Sequence, residues 1–69
     1  MLVEINTGPS VLRVVKVLKE TLRLSLKDAH DLIYNKRIGR ISQFECPDEK
    51  FEELKTIIQV NGGRLYKIV

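Results

Sequence analysis

Tryptophan is absent, and one cysteine (Cys46) and one histidine (His30) stand in 69 residues. One cysteine closes no internal disulfide, and one cysteine with one histidine cannot complete a zinc site. Nothing in the chain calls for an oxidising compartment, so a reducing cytoplasm is the expected setting. No apolar run approaches the length of a membrane span, and the start lacks the charged-then-apolar order of a signal peptide, so no membrane contact is expected. No serine, cysteine or carboxylate pair accompanies His30 in a catalytic pattern. The expectation is a protein that is not an enzyme, with no catalytic residue, metal or cofactor.

What the chain does contain is a globular balance, with 43% hydrophobic and 30% charged residues. Its length allows one domain, residues 1–69, with a small core and modest stability. The net charge of +3 is spread unevenly. Eight of the twelve Lys/Arg lie between Arg13 and Arg40, with only Glu20, Asp28 and Asp31 among them. From Ile41 onward the signs nearly balance. The first half therefore presents a positive field, which suits an acidic surface or a phosphate backbone.

Leu2-Val3-Glu4-Ile5 is short and alternating, which predicts an opening strand. Asn6-Thr7-Gly8 reads as a turn, and Pro9 suits the first turn of a helix running from Pro9 to Leu22. Ser25 and Asp28 form a capping-box pattern ahead of a second helix, Leu26 to Tyr34. Asn35 to Gly39 is a basic loop. Arg40 to Glu45 predicts a strand with Ile41 and Phe44 on opposite faces. Pro47 opens a third helix with the stripe Phe51, Leu54, Ile57 and Ile58, which Asn61-Gly62-Gly63 ends. Arg64 to Val69 closes the chain as a strand. The order β-α-α-β-α-β predicts an α+β two-layer sandwich, a three-stranded antiparallel sheet with three helices on one face, and leaves the strand order open. Cys46 falls at the entry to the third helix, semi-buried, where a helix dipole lowers a thiol's pKa.

The first helix carries two stripes. Val11, Val14, Val15, Leu18 and Leu22 share the side expected to face the core. Leu12, Lys16, Lys19 and Arg23 follow one another along a flank, an apolar residue heading a basic row. An isolated exposed leucine ringed by cations is a sensible small interface, because the leucine loses water while the cations steer an acidic partner. Lys27, in the first turn of the second helix, stands against the dipole there. Lys36, Arg37 and Arg40 are candidate phosphate contacts. Only Tyr34 and Phe44 lie near them, and nucleic-acid modules usually add several stacking aromatics. RNA binding is therefore the secondary expectation.

Val14-Val15-Lys16-Val17-Leu18-Lys19, followed by Leu24-Ser25-Leu26-Lys27-Asp28-Ala29-His30-Asp31-Leu32-Ile33, resembles the C-terminal domain of the bacterial ribosomal stalk protein, the large-subunit protein L-seven/L-twelve. The family pattern there is V-I-K-x-V-R, then L-G-L-K-E-A-K-x-L-V at the same separation, and Gly62-Gly63 matches a family glycine before the last strand. The resemblance implies a head that recruits translation elongation-factor-type GTPases through its first two helices, with association with the ribosome in that company. Carried onto this chain, the contact surface falls on Leu12, Val15, Lys16, Lys19, Ser25, Leu26, Lys27 and His30. The helical reading agrees on Leu12, Lys16 and Lys19 but assigns Val15 to the core. The family has alanine at Arg13, glycine at Arg23 and Ser25, and lysine at His30. Arg13 and Arg23 add bulk and charge on the contact side. The stalk protein's dimerisation region and hinge have no counterpart here, so a free-standing head is expected.

The chain is more distantly similar to the ClpS adaptor, which delivers N-end-rule substrates to a Clp protease, through Asn6, Pro9 and Val17-Leu18. The ClpS pocket needs an acidic pair after the asparagine, where Thr7 and Gly8 stand. It also needs a histidine late in the second helix, where Lys36 and Arg37 follow. A ClpS-like adaptor without the N-degron pocket is thus a further alternative.

Overall fold

The computed structural model describes residues 1–35 and 37–68, so Lys36 and Val69 lie outside the described residues. Its elements are β1 (Leu2–Asn6), α1 (Val11–Thr21), α2 (Leu26–Tyr34), β2 (Ile41–Glu45), a 3-10 turn (Asp48–Lys50), α3 (Phe51–Val60) and β3 (Arg64–Lys67). The three strands form one antiparallel sheet in the order β2-β1-β3. The predicted β-α-α-β-α-β order is present.

The first strand to be made occupies the centre. Val3 and Ile5 point to one face and are fully buried, opposite Phe44 and Ser42 on β2 and beside Leu65 on β3. Val14, Val15 and Leu18 of α1, Ala29 and Ile33 of α2, and Phe51, Leu54 and Ile58 of α3 cover that face. The alternation places Leu2, Glu4, Ile41, Gln43 and Tyr66 on the other face, which no helix covers. Ile41 and Phe44 fall on opposite sides, as their spacing predicts.

Buried polar groups tie the layers together. Ser42 sits in the core of β2, and its hydroxyl donates to the Ile33 carbonyl near the end of α2. That bond answers one of the carbonyls a helix C-terminus leaves unpaired. The Thr7 N–H donates to the Arg40 carbonyl at 2.9 Å, extending the β1–β2 ladder past its named ends. Gly8 has φ +65°, and a Cβ there would lie 2.5 Å from the Gly62 carbonyl oxygen. The turn before α1 therefore packs backbone to backbone against the turn after α3, and any side chain at position 8 would force them apart.

The element boundaries correct several expectations, among them the last strand, which ends at Lys67 and leaves Ile68 outside it. Pro9 lies in the turn, two residues before α1, and Ser10 is the N-cap. Pro47 precedes the 3-10 turn, and α3 itself starts only at Phe51. Arg40 is left out of β2. Both prolines sit before the regular hydrogen bonding of their helices begins, whereas the Arg40 carbonyl still accepts the ladder bond from Thr7.

The link between α1 and α2 departs most from expectation. Leu22 caps α1, and Arg23 adopts φ +55°, the left-handed region. The Leu24 N–H reaches back to the Lys19 carbonyl at 3.0 Å, which with the left-handed Arg23 makes a Schellman-type ending. Leu24 then packs against the core cluster. Arg23 thus occupies a position that usually holds glycine. It has left the helical row of Leu12, Lys16 and Lys19. On the far side of the reversal the Ser25 hydroxyl accepts from the Asp28 N–H at 3.1 Å, the expected N-cap.

Cys46 is 2% exposed, and burial pushes its thiol up, with Asp48 and Glu49 adding to the effect and the amine at Met1 opposing it. The lowering that a helix entry can give a thiol is not seen at Cys46, where desolvation of the thiolate is the largest influence.

Two outcomes follow from these features. Arg23→Gly should relieve the left-handed strain and stabilise the fold by about 0.5–1 kcal/mol, read as a raised urea midpoint at unchanged slope. Cys46 should react with a thiol reagent only on unfolding. Its folded pKa is raised, so its contribution is complete below the unfolded thiol pKa of about 8.5 and is lost as pH rises toward the folded value. Alkaline melts should show a shallower decline in Cys46→Ala than in the wild type, the remainder coming from the Met1 amine, whose pKa is also raised by its hydrogen bond to Asp48.

Candidate functional site: the outer face of α1 and α2

The predicted stripe on α1 separates cleanly in space. Val14, Val15 and Leu18 are buried, whereas Leu12 is 76% exposed and Lys16 and Lys19 are exposed beside it. Arg13 is also exposed. Helical spacing places it one step of 100° past Leu12, toward the side opposite the core rather than on the flank itself. Val15, which the stalk resemblance places in the contact surface, is 2% exposed and packs in the core. The helical periodicity reads that residue correctly.

On α2, Leu26 is 62% exposed, and Lys27 and His30 are exposed beside it. Ser25 is exposed too, but its hydroxyl is engaged in capping the helix. The His30 and Tyr34 rings stack at 4.2 Å between centroids and 20° between planes. The Arg37 guanidinium lies over the Tyr34 ring at 5.1 Å. These three make a surface column that the sequence reading did not assemble. Its signal was available, because residues four apart on a helix are neighbours and His30 and Tyr34 have that spacing.

The two flanks belong to one surface. α1 packs on both α2 and α3, while α2 packs on β2 and α3 on β3, so α1 takes the middle of the helix layer. The connection Leu22–Ser25 is short, so α2 runs back along α1. On each helix the exposed set follows the buried stripe in the same rotational sense. Leu32, on the other side of α2's buried stripe, lines a groove with Gln43 and Phe44 of β2, so the α2 flank with Lys27, His30 and Tyr34 turns toward α1, and in helices that run in opposite directions the same sense turns the α1 flank toward α2. Leu12, Lys16 and Lys19 thus face the furrow that Leu26, Lys27, His30 and Tyr34 border from the other side.

The charge of this face is uncompensated. Among the described residues, Arg13, Lys16, Lys19, Arg23 and Lys27 form no salt bridge, and the ion pairs present involve the Met1 amine and Lys50. Two well-exposed leucines between free cations suit an acidic partner that carries an apolar spot. The candidate phosphate contacts are less well placed. Lys36 lies outside the described residues. Arg37 is half-buried, donates from Nε to the Gly39 carbonyl, and is drawn over Tyr34. Arg40 is exposed.

A paired substitution separates surface from core on α1. Leu12→Ser should change stability by less than about 0.5 kcal/mol, as an exposed site does. Val15→Ser should cost about 2–4 kcal/mol, since it both empties and polarises a core position. Thermal melts of the two variants check the assignment.

No family model, curated protein or solved structure matches this chain.

Proposed function

We propose that this protein is a non-enzymatic protein-binding module. Its outer α1–α2 face docks an acidic, partly apolar patch on a partner of the kind recruited by the ribosomal stalk head, a translation GTPase. One observation carries the reading: Leu12 and Leu26 stand exposed among cations that form no ion pair among the described residues. In the docked state the leucines supply the desolvated centre, and Arg13, Lys16, Lys19, Lys27 and His30 surround it. Such rim charges act mainly on the rate of encounter. Of the residues that resemble the stalk head, Lys16, Lys19, Leu26 and Lys27 lie on this face.

A second reading draws on the His30–Tyr34–Arg37 column. An exposed aromatic ring stacked beside cations is also the start of a single-stranded RNA platform. One ring pair is a small platform, and the two exposed leucines have no role in it, so it stands second.

The two readings separate by measurement. Captured from lysate on the immobilised protein, an elongation-factor-type GTPase should be lost with Leu12→Ser and with Lys16→Glu/Lys19→Glu, while the melting curves stay near wild type. Affinity for the captured GTPase should fall about tenfold with Leu12→Ser. RNA binding would instead weaken steeply with salt and track Tyr34, Arg37 and Arg40. Retention of RNA that is indifferent to Leu12→Ser would overturn the protein-docking reading.

A further inference from the structure

The two edges of the sheet carry opposite charge, and each has a groove beneath it. β2 and β3 are the edge strands. Under the β3 edge a groove of about 500 Å³ is lined by Phe51, Lys55 and Gln59 of α3 and by Leu65 and Lys67 of β3, with Arg64 at its end. Under the β2 edge a groove of about 490 Å³ is lined by Leu22, Leu24 and Leu32, with Asp28, Asp31 and Glu45 as its acidic members. It continues along Gln43 and Phe44 through the shared Asp31, Leu32 and Glu45. Among the described residues, Lys55, Arg64 and Lys67 have no acidic partner, and Asp28 and Asp31 have no basic one. Neither groove uses the residues of the α1–α2 face.

The main-chain phase of the two edges also matches. The Cys46 N–H donates to the Met1 carbonyl at 2.8 Å and the Thr7 N–H to the Arg40 carbonyl at 2.9 Å. Antiparallel alternation then makes Val3 with Phe44, and Ile5 with Ser42, the bonded pairs, so the N–H and C=O groups of Gln43 and Glu45 point away from the sheet. The Ile68 N–H donates to the Leu2 carbonyl at 3.0 Å, which in the same way leaves those of Leu65 and Lys67 pointing outward. Ile41 is already paired, through a bridge to Ile38. The free groups therefore belong to helix-side residues on β3 and to open-face residues on β2. A parallel strand pair with both helix layers on the same side requires that phase. β2 and β3 both run antiparallel to β1, and so run in the same direction.

We propose that the chain associates with a second copy of itself head to tail, the β3 edge of one copy joining the β2 edge of the next to continue the sheet. Phe51 and Leu65 then meet the leucine-lined groove of the neighbour, and Lys55, Arg64 and Lys67 meet its Asp28, Asp31 and Glu45. The symmetric alternatives bring like charges together, Glu45 and Asp31 against themselves at a β2–β2 contact, or Lys67 and Arg64 at a β3–β3 contact. A head-to-tail contact of this kind grows unless its rotation closes a ring.

Sedimentation of the full chain tests this. The mass should rise above 8.0 kDa with concentration. Association should weaken at least about tenfold between roughly 50 mM and 0.5 M salt, as the exposed pairs are screened. Glu45→Lys and Lys67→Glu should each stay monomeric, with circular dichroism confirming that both remain folded. An equimolar mixture of the two should associate again, because every contact between unlike copies regains opposite charges. A wild type that stays monomeric to about 1 mM at low salt would overturn the proposal. So would a mixture that stays monomeric, or a closed dimer that survives either charge reversal.

Discussion

Both sides of β1 are hydrogen-bonded, and the fold depends on that one strand being enclosed. Val3 and Ile5 are fully buried because β2 and β3 flank them and α1 covers them. Both partner strands come from the second half of the chain, so the strand at the start is completed only when the end arrives. That pairing brings the turn at Gly8 against the turn at Gly62 and sets the plane on which the helices lie. In a chain this small there is little other core to hold the helices in place.

The second governing feature is the reversal between α1 and α2. Arg23 in a left-handed conformation and Ser25 as an N-cap let the chain turn back within a few residues. The flank of α1 that bears Leu12 is thereby brought alongside the flank of α2 that bears Leu26. Without the tight turn the same side chains would still be exposed, but on separate surfaces. A site of this kind is a product of helix register and helix order together. The unpaired cations around it show the same logic in electrostatics, since the acidic residues of α2, Asp28 and Asp31, line a groove at the β2 edge instead. Positive and negative groups lie on different sides of one helix, and each side is left with an unbalanced field.

Much of this was legible beforehand. The strands and helices follow from alternation, from helical spacing and from the Ser25 cap, which are local rules. The separation of Val15 from Leu12 follows from a 100° step and needed no coordinates. Less visible was anything that depends on where regular hydrogen bonding starts. Pro9 and Pro47 both stand just outside the elements they were expected to open. Spacing alone puts Arg23 in a helical row that the chain has already left, because side-chain spacing says nothing about a sign change in φ. The His30–Tyr34 stack had a sequence signal in its spacing, whereas Arg37 joins it only because the loop folds back. The position of Cys46 suggested a semi-buried thiol at a helix entry, and its full burial, which raises the pKa, came only from the packing.

By itself the sequence determined the order of elements, the buried stripes of α1 and α3 and the concentration of positive charge in the first half, because each arises from neighbours a few residues apart, whereas on α2 the apolar set Leu26, Ala29, Leu32 and Ile33 loses Leu26 to the surface. Tertiary structure alone decided that β1 lies between β2 and β3, that two helical flanks border one furrow, and that the sheet ends in edges of opposite charge. Those depend on contacts between residues far apart in the chain, which the packing of one small core selects and no local pattern encodes.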